Sequence, residues 1–231
     1  MDRQRLTITL KKDVLRAVDQ TIDGERIRNR SHAIEYLLNQ SLGLHRPKVA
    51  VILAGGRGAK MRPITLEMPK VLFPVKGKPL IEHIFDILRK FGIRDVALAI
   101  GYLGDQIRRH VGDGSKYGLS ITYIEEPKRL GTAGPLRLAA HLLNEPFLVI
   151  AGDTLAQINL YDFMEFHRSH RGWATMALVP AEPEEPYGVV HVQGNRIRAF
   201  EKHPTSKTNA LLTNAGYYVL DTKVLRTIPR G

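Results

Sequence analysis

Lys48-Val49-Ala50-Val51-Ile52-Leu53-Ala54-Gly55-Gly56-Arg57-Gly58-Ala59-Lys60-Met61-Arg62-Pro63 is the stretch that decides the fold. Residues 48–54 form an apolar, β-branched run, the composition of a central parallel strand. Glycines follow at once, and small residues at a strand end let backbone N–H groups approach phosphates closely. No Gly-Lys-Ser/Thr closes the loop, so it is not a Walker A motif. Met61 stands where a dinucleotide fingerprint needs its third glycine. Three basic side chains, Arg57, Lys60 and Arg62, lie within the loop, and Pro69-Lys70 follows shortly. Several cations beside free amides suit a triphosphate rather than a single phosphate.

Outward from this loop the chain alternates strand, loop and helix, which predicts an α/β domain. The apolar run Phe147–Ala151 reads as a buried strand that ends at Gly152-Asp153. Pro79–Phe91 places Leu80, Ile84, Ile87, Leu88 and Phe91 at helical spacing and reads as core packing. His167 and His170 lie i, i+3 on an expected helix, Leu160–His170, without a third ligand nearby. They read as a solvated helix face. Pro180–Pro186, rich in Glu and Pro, reads as a surface loop, and no Gly-x-Ser-x-Gly supports a serine hydrolase.

Before the Gly43–Pro47 break the chain has a different character. Arg5-Leu6-Thr7-Ile8-Thr9-Leu10 alternates strictly, with Leu6, Ile8 and Leu10 on one face. A helix is expected over Asp13–Ile22, broken at Asp23-Gly24, and a second opens at Ser31 as its N-cap. Some 42 residues bury little core alone, and a lone strand needs a strand partner. A homodimer through residues 1–44, with paired strands over four helices, satisfies both needs. This segment resembles the ribbon-helix-helix DNA-binding family over its whole length. The resemblance implies that Arg5, Thr7 and Thr9 face the major groove of double-stranded DNA and that amides near Ser31 hold a phosphate. A dimerisation module without DNA binding is the other reading.

The whole chain has 231 residues, 43% hydrophobic and 25% charged, which excludes disordered and fibrous classes. It has no Cys, hence no disulfide framework and no thiolate site, as in a reducing compartment; a cytoplasmic location is expected. No secretory leader pattern opens it and no apolar run spans a bilayer, so no membrane partner is expected. The net charge of +11 suggests a polyanion. Residues 1–47 contribute +3 of it and residues 48–231 contribute +8. Most of the excess therefore lies in residues 48–231, the segment with the glycine loop, where it fits phosphorylated substrates.

Six ordered motifs carry a second resemblance, to sugar-1-phosphate nucleotidyltransferases, over residues 48–220. They are Leu53-Ala54-Gly55-Gly56-x-Gly58-x-x-x-Arg62-Pro63-x-Thr65 with Pro69-Lys70, then Leu130–Gly134, then Gly152-Asp153. Tyr187–Val190, Phe200-Glu201-Lys202 and Asn214–Tyr218 complete the set. The wording of the later motifs is most similar to mannose-1-phosphate guanylyltransferases. The resemblance implies a Rossmann-like mixed sheet in α/β/α layers over residues 45–231, C-terminally truncated, behind the ribbon-helix-helix domain of 1–44. It implies an NTP and a sugar 1-phosphate as substrates, giving nucleotide-sugar and pyrophosphate.

By the same resemblance Leu53, Ala54, Gly55, Gly56, Gly58, Gly131 and Thr132 hold the nucleotide, with Lys60, Arg62, Lys70 and Asp153 as catalytic residues. Asp153 would hold Mg2+, a hard ion suited to one carboxylate plus phosphate oxygens. Gly188, Glu201, Lys202, Asn214 and Gly216 would face the sugar phosphate. Glu126, just before the base-side loop, can accept from guanine N1–H and the 2-amino group, which favours GTP. Two departures stand out. Lys60 replaces the family's Arg and loses its bidentate fork. The chain also stops at Gly231, short of a second acid that the family carries. A DNA-binding regulator that senses nucleotide without turnover is the alternative reading.

Overall fold

The computed structural model describes residues 4–44, 46–126, 130–180, 188–201 and 212–229. The chain divides into two compact units, the first up to residue 45 and the second from residue 46.

The first unit contains helices α1 (Lys12–Gln20) and α2 (Arg30–Ser41). Val18, Ile27 and Ala33 form its small core, with Ile22, Ile34, Tyr36 and Leu37 packed around them. Asp23 organises the turn between the helices: its Oδ1 accepts from the amides of Glu25, Arg26 and Ile27. Arg30 closes the turn with two bonds to Asp19, at 2.7 and 2.9 Å. Three local expectations are corrected. Residues 4–11 belong to no strand, and Leu6 is 79% exposed. A strand is made by its ladder, and a single copy supplies no partner for this one. The first helix stops at Gln20 rather than Ile22, where the Thr21 hydroxyl donates to Val18 O at 2.7 Å. Asn29, not Ser31, caps α2: it is extended, and its Oδ1 accepts from His32 N at 2.9 Å. Ser31 falls inside the first turn.

The second unit opens with β1 (Val49–Leu53), followed by short β2 (Pro74–Val75) and β3 (Lys78–Pro79) that form a hairpin. Helix α3 (Leu80–Lys90), strand β4 (Asp95–Ile100), helix α4 (Gly104–Val111) and strand β5 (Ser120–Glu125) come next. Then follow α5 (Gly134–Leu138), β6 (Phe147–Ala151) and α6 (Leu160–His170). The chain ends through β7 (Ala174–Pro180), the hairpin β8 (Val189–Gln193) and β9 (Arg196–Glu201), and β10 (Leu212–Leu220).

Six strands form one mixed sheet in the order β5-β4-β1-β6-β10-β7. β5, β4, β1 and β6 are parallel, while β10 runs antiparallel to both its neighbours. The period of two in the strands divides the core into layers. Ala50, Ile52, Val96, Leu98, Leu148 and Ile150 face α3, α4 and α6. Val51, Ala97, Ala99, Phe147 and Val149 face Leu136 of α5, Ala139, Leu143 and Ile228. The expected α/β/α sandwich is what forms. The strand order reverses at β1, because β4 and β6 lie on either side of it. In an open α/β sheet that switch point leaves a crevice beyond the strand ends. The glycine loop stands there.

Helix α6 corrects the reading of its histidines. His167 is 3% exposed, its Nδ1 lies 2.9 Å from Thr175 Oγ1, and α6 packs on the sheet through it. Only His170 is on the open face, stacked on Phe166. Burial lowers the His167 pKa from its ordinary value, and the Asp221 carboxylate opposes this only in part. The unfolded chain therefore binds the proton more tightly than the folded one. The contribution is full above the ordinary histidine pKa and is lost as the pH falls through and below it. A melting temperature that falls between pH 7.5 and 5.5, with a smaller fall in His167→Gln, is the expected result; equal slopes in both proteins would refute it.

Candidate active site

β1 brings its ladder to the edge of the crevice on both sides. Ala54 N donates to Ala99 O at 2.8 Å, and Gly152 N donates to Leu53 O at 2.9 Å. The chain then breaks into the loop 55–58, in which Gly58 takes the left-handed conformation (φ 57°, ψ 34°). A Cβ at Gly58 would meet the Thr65 methyl at 2.7 Å, so both the conformation and the space require glycine.

One cleft of about 260 Å³ gathers Leu53, Ala54, Gly55, Gly56, Gly58, Lys70, Glu126, Gly131, Thr132 and Asp153, which are distant in sequence. Val71, Ala99, Pro135 and Ala151 complete its lining. Packing explains how Lys70 arrives. Val71 is 3% exposed and lies so near Gly152 that a Cβ there would stand 2.9 Å from its Cγ1. With Val71 seated on Gly152, its neighbour Lys70 is delivered to Asp153, and Lys70 Nζ donates to Asp153 Oδ2 at 3.0 Å. Both side chains keep solvent exposure, 32% and 48%, so the pair contributes at most about 1 kcal/mol. Anionic oxygens entering the cleft can displace it.

Glu126 stands between two walls of the cleft. Its Oε2 accepts from Leu130 N at 3.0 Å, and its Oε1 is 3.2 Å from the place a Cβ would occupy on Gly55. It therefore ties the segment 130–134 to the strand it follows, as well as lining the pocket.

Other expected residues fall elsewhere. Lys60 and Arg62 are exposed on and after the turn Ala59–Met61 and do not line the cleft. Asn214 spends its side chain within its own strand: its Oδ1 accepts from Gly216 N at 2.8 Å, and its Nδ2 donates to the Tyr218 hydroxyl. These bonds span a bulge in β10, where Gly216 has φ 75° beside Thr154. Glu201 ends β9, and its Oε2 is 3.0 Å from His191 Nε2 across the hairpin. Gly188 O accepts from the buried Thr213 hydroxyl at 2.9 Å, which links β10 to the start of β8. Lys202 lies outside the described residues. Sequence reasoning did not assign Val71, Ala99, Pro135 and Ala151, which line the cleft, nor Thr65, which bonds Gly58. Thr65 stands in the glycine motif, and its register with Gly58 was the available signal.

Among the described residues no group of three or more His, Asp or Glu could hold a metal ion by itself. Asp153 offers one exposed carboxylate beside the glycine amides. That set fits a hard divalent ion only if phosphate oxygens supply most of the remaining ligands.

These features define a cleft at the end of a mixed sheet, lined by a glycine loop, one lysine and two carboxylates. Residues 49–230 match the family model described as nucleotidyl transferase, and the chain belongs to that family. It is similar to "Mannose-1-phosphate guanylyltransferase" of Mycobacterium tuberculosis, 36% identical over 185 residues, covering 79% of this chain and 51% of that protein. The catalytic subunit beta of the same-named enzyme from Danio rerio is also 36% identical, over 78% of this chain and 51% of its own length. The chain thus spans about half the length of the curated relatives it matches. Among solved structures, a Bacillus anthracis protein named for glucose-1-phosphate thymidylyltransferase activity and bound to sucrose superposes with TM-score 0.69 at 29% identity. The alignment covers 77% of this chain and 72% of that one. HddC from Yersinia pseudotuberculosis with GMP-PN, at 23% identity and TM-score 0.68, shares the fold over 79% and 80% of the chains. No helix among the described residues is long and apolar enough to cross a membrane.

Proposed function

We propose that this chain transfers a nucleotidyl group from an NTP to a sugar 1-phosphate and releases pyrophosphate, with GTP and mannose 1-phosphate as the preferred pair. The observation that carries the reading is the convergence of the glycine loop, Lys70 and Asp153 in one cleft. A sugar phosphate oxygen attacks the α-phosphorus in line, and pyrophosphate leaves. This chemistry needs no protein nucleophile; it needs two anions held together and charge neutralised as it moves. The amides of 55–58 cradle the phosphates, and Lys70 turns from Asp153 to the α-phosphate and the incoming phosphate. Asp153 would hold Mg2+ shared with the nucleotide, and that ion would supply further neutralisation of phosphate charge. Glu126, beside the base-side segment, favours guanine because a carboxylate accepts from its N1–H and 2-amino group. The guanylyltransferase names of the similar proteins support the same pair.

Pyrophosphate release with GTP, mannose 1-phosphate and Mg2+ tests the proposal, with dTTP and UTP as competitors. Release led by dTTP would refute the guanine preference. Nucleotide binding without release would favour the alternative, a sensor, toward which the outlying positions of Lys60 and Arg62 point.

For residues 1–44 we propose a self-pairing module that reads DNA through Arg5, Thr7 and Thr9. Its support is the apolar surface left by one copy, with Leu6, Ile8, Val14, Leu38, Leu42 and Leu44 all exposed. A two-fold partner would cover such a face and complete the ladder for residues 5–10. Light scattering that gives a monomer, or a gel shift on the gene's own upstream DNA that Arg5→Ala leaves unchanged, would refute it.

A further inference from the structure

Among the described residues, three polar side chains are buried below a tenth of their surface: Thr65, His167 and Thr213. Two of them make the same kind of bond. Thr65 Oγ1 donates to Gly58 O at 2.9 Å, and Thr213 Oγ1 donates to Gly188 O at 2.9 Å. A buried hydroxyl is kept only where its bond is made, so each threonine pins one glycine carbonyl. The two glycines belong to different segments, and only Gly58 lines the cleft. Gly58 ends the loop of the cleft, and Gly188 leads into β8, whose Val189 and Val190 are buried.

Thr65 meets Gly58 at two points, and the hydroxyl bond is the one that sets it. Its hydroxyl holds the carbonyl, and its methyl fills the space a Cβ would need. Thr213 sits in β10 opposite Val179 of β7, one residue before Asn214 and the bulge. Its bond to Gly188 O ties β10 to the hairpin that carries Glu201. Neither threonine lines the cleft.

We propose that Thr65 and Thr213 are positioning residues for the two substrates separately: Thr65 sets the nucleotide-side loop and Thr213 sets the sugar-side hairpin, each through one glycine carbonyl. The proposal rests on the two-substrate reading above. Valine keeps the shape of threonine and removes the bond; serine keeps the bond and removes the methyl.

The full chain and its Thr65→Val, Thr65→Ser, Thr213→Val and Thr213→Ser variants are compared by steady-state kinetics with GTP and mannose 1-phosphate varied in turn. Calorimetric titration with GTP alone runs in parallel. One lost buried bond can change an equilibrium constant by up to about tenfold where it positions the binding loop. Thr65→Val is expected to raise the GTP KM and Kd by about that factor and to leave the sugar phosphate KM within about twofold. Thr213→Val is expected to do the reverse. Both serine variants are expected to return close to the parent. Equal shifts in both constants, no shift in either, or failure of serine to restore them would overturn the proposal. If a valine variant does not fold, its serine partner decides: a folded serine variant with the parent's constants supports the proposal, and one with altered constants overturns it. If the parent binds GTP but turns nothing over, the catalytic reading fails while the GTP Kd of the Thr65 variants still decides this one. A parent that does not bind GTP overturns both.

Discussion

Lys70→Met is expected to lower the rate of nucleotidyl transfer by about a hundredfold to a thousandfold, the range seen when one charge-stabilising donor is removed from a preorganised site. Lys70 is the cation that lines the cleft among the described residues, since Lys60 and Arg62 stand outside it. It lies 3.0 Å from Asp153 and is placed by the packing of Val71 on Gly152. A half-exposed ion pair holds little energy, so its loss costs the fold little. The melting temperature should therefore stay within a few degrees of the parent while kcat falls. Lys70→Arg should keep the charge and recover part of the rate, because its broader fork fits a site shaped for an ammonium imperfectly. Pyrophosphate release under saturating substrates measures this, and a Lys70→Met rate within threefold of the parent would refute the role.

The largest stability effect is expected at Phe85. This ring is 1% exposed in the layer beneath α3 and lies 5.0 Å from the Tyr117 ring. Tyr117 in turn donates to Glu82 at 2.9 Å, which also meets His110 at 2.9 Å. Phe85 therefore supports both the sheet and the side-chain cluster that joins α3 to α4. Phe85→Ala removes the ring and leaves a cavity that rigid strands cannot close, at a cost of about 3–5 kcal/mol. That is a large part of the ~5–15 kcal/mol that stabilises an ordinary domain. Urea denaturation measures it, and a loss below about 1 kcal/mol would show that the layer repacks freely.

Much of the fold was legible. Val49–Leu53 and Phe147–Ala151 are strands because unbroken apolar runs of that length suit a sheet covered on both faces. Leu160–His170 is a helix with the expected bounds. The glycine loop, Lys70 and Asp153 were also readable as chemistry, because their residue types are those that phosphate binding demands. His167 was not legible: i, i+3 spacing says that two residues share a side of a helix but not which side meets a sheet. Nor was Asn214, whose amide serves the bulge of its own strand. Residues 5–10 show the limit of periodicity. Alternation gives a strand its two faces, yet a ladder requires a second strand.

By itself, then, the sequence determined the main strands and helices of the second unit and the family, since each depends on short-range order along the chain. The tertiary structure alone decided which cation lines the cleft, how Lys70 reaches Asp153 across 83 positions, and that the hydroxyls of two buried threonines bond Gly58 O and Gly188 O. Those outcomes depend on close packing between distant segments: Val71 against Gly152, and the Thr65 methyl against Gly58. Close packing is settled by three-dimensional fit, which no spacing along the chain encodes.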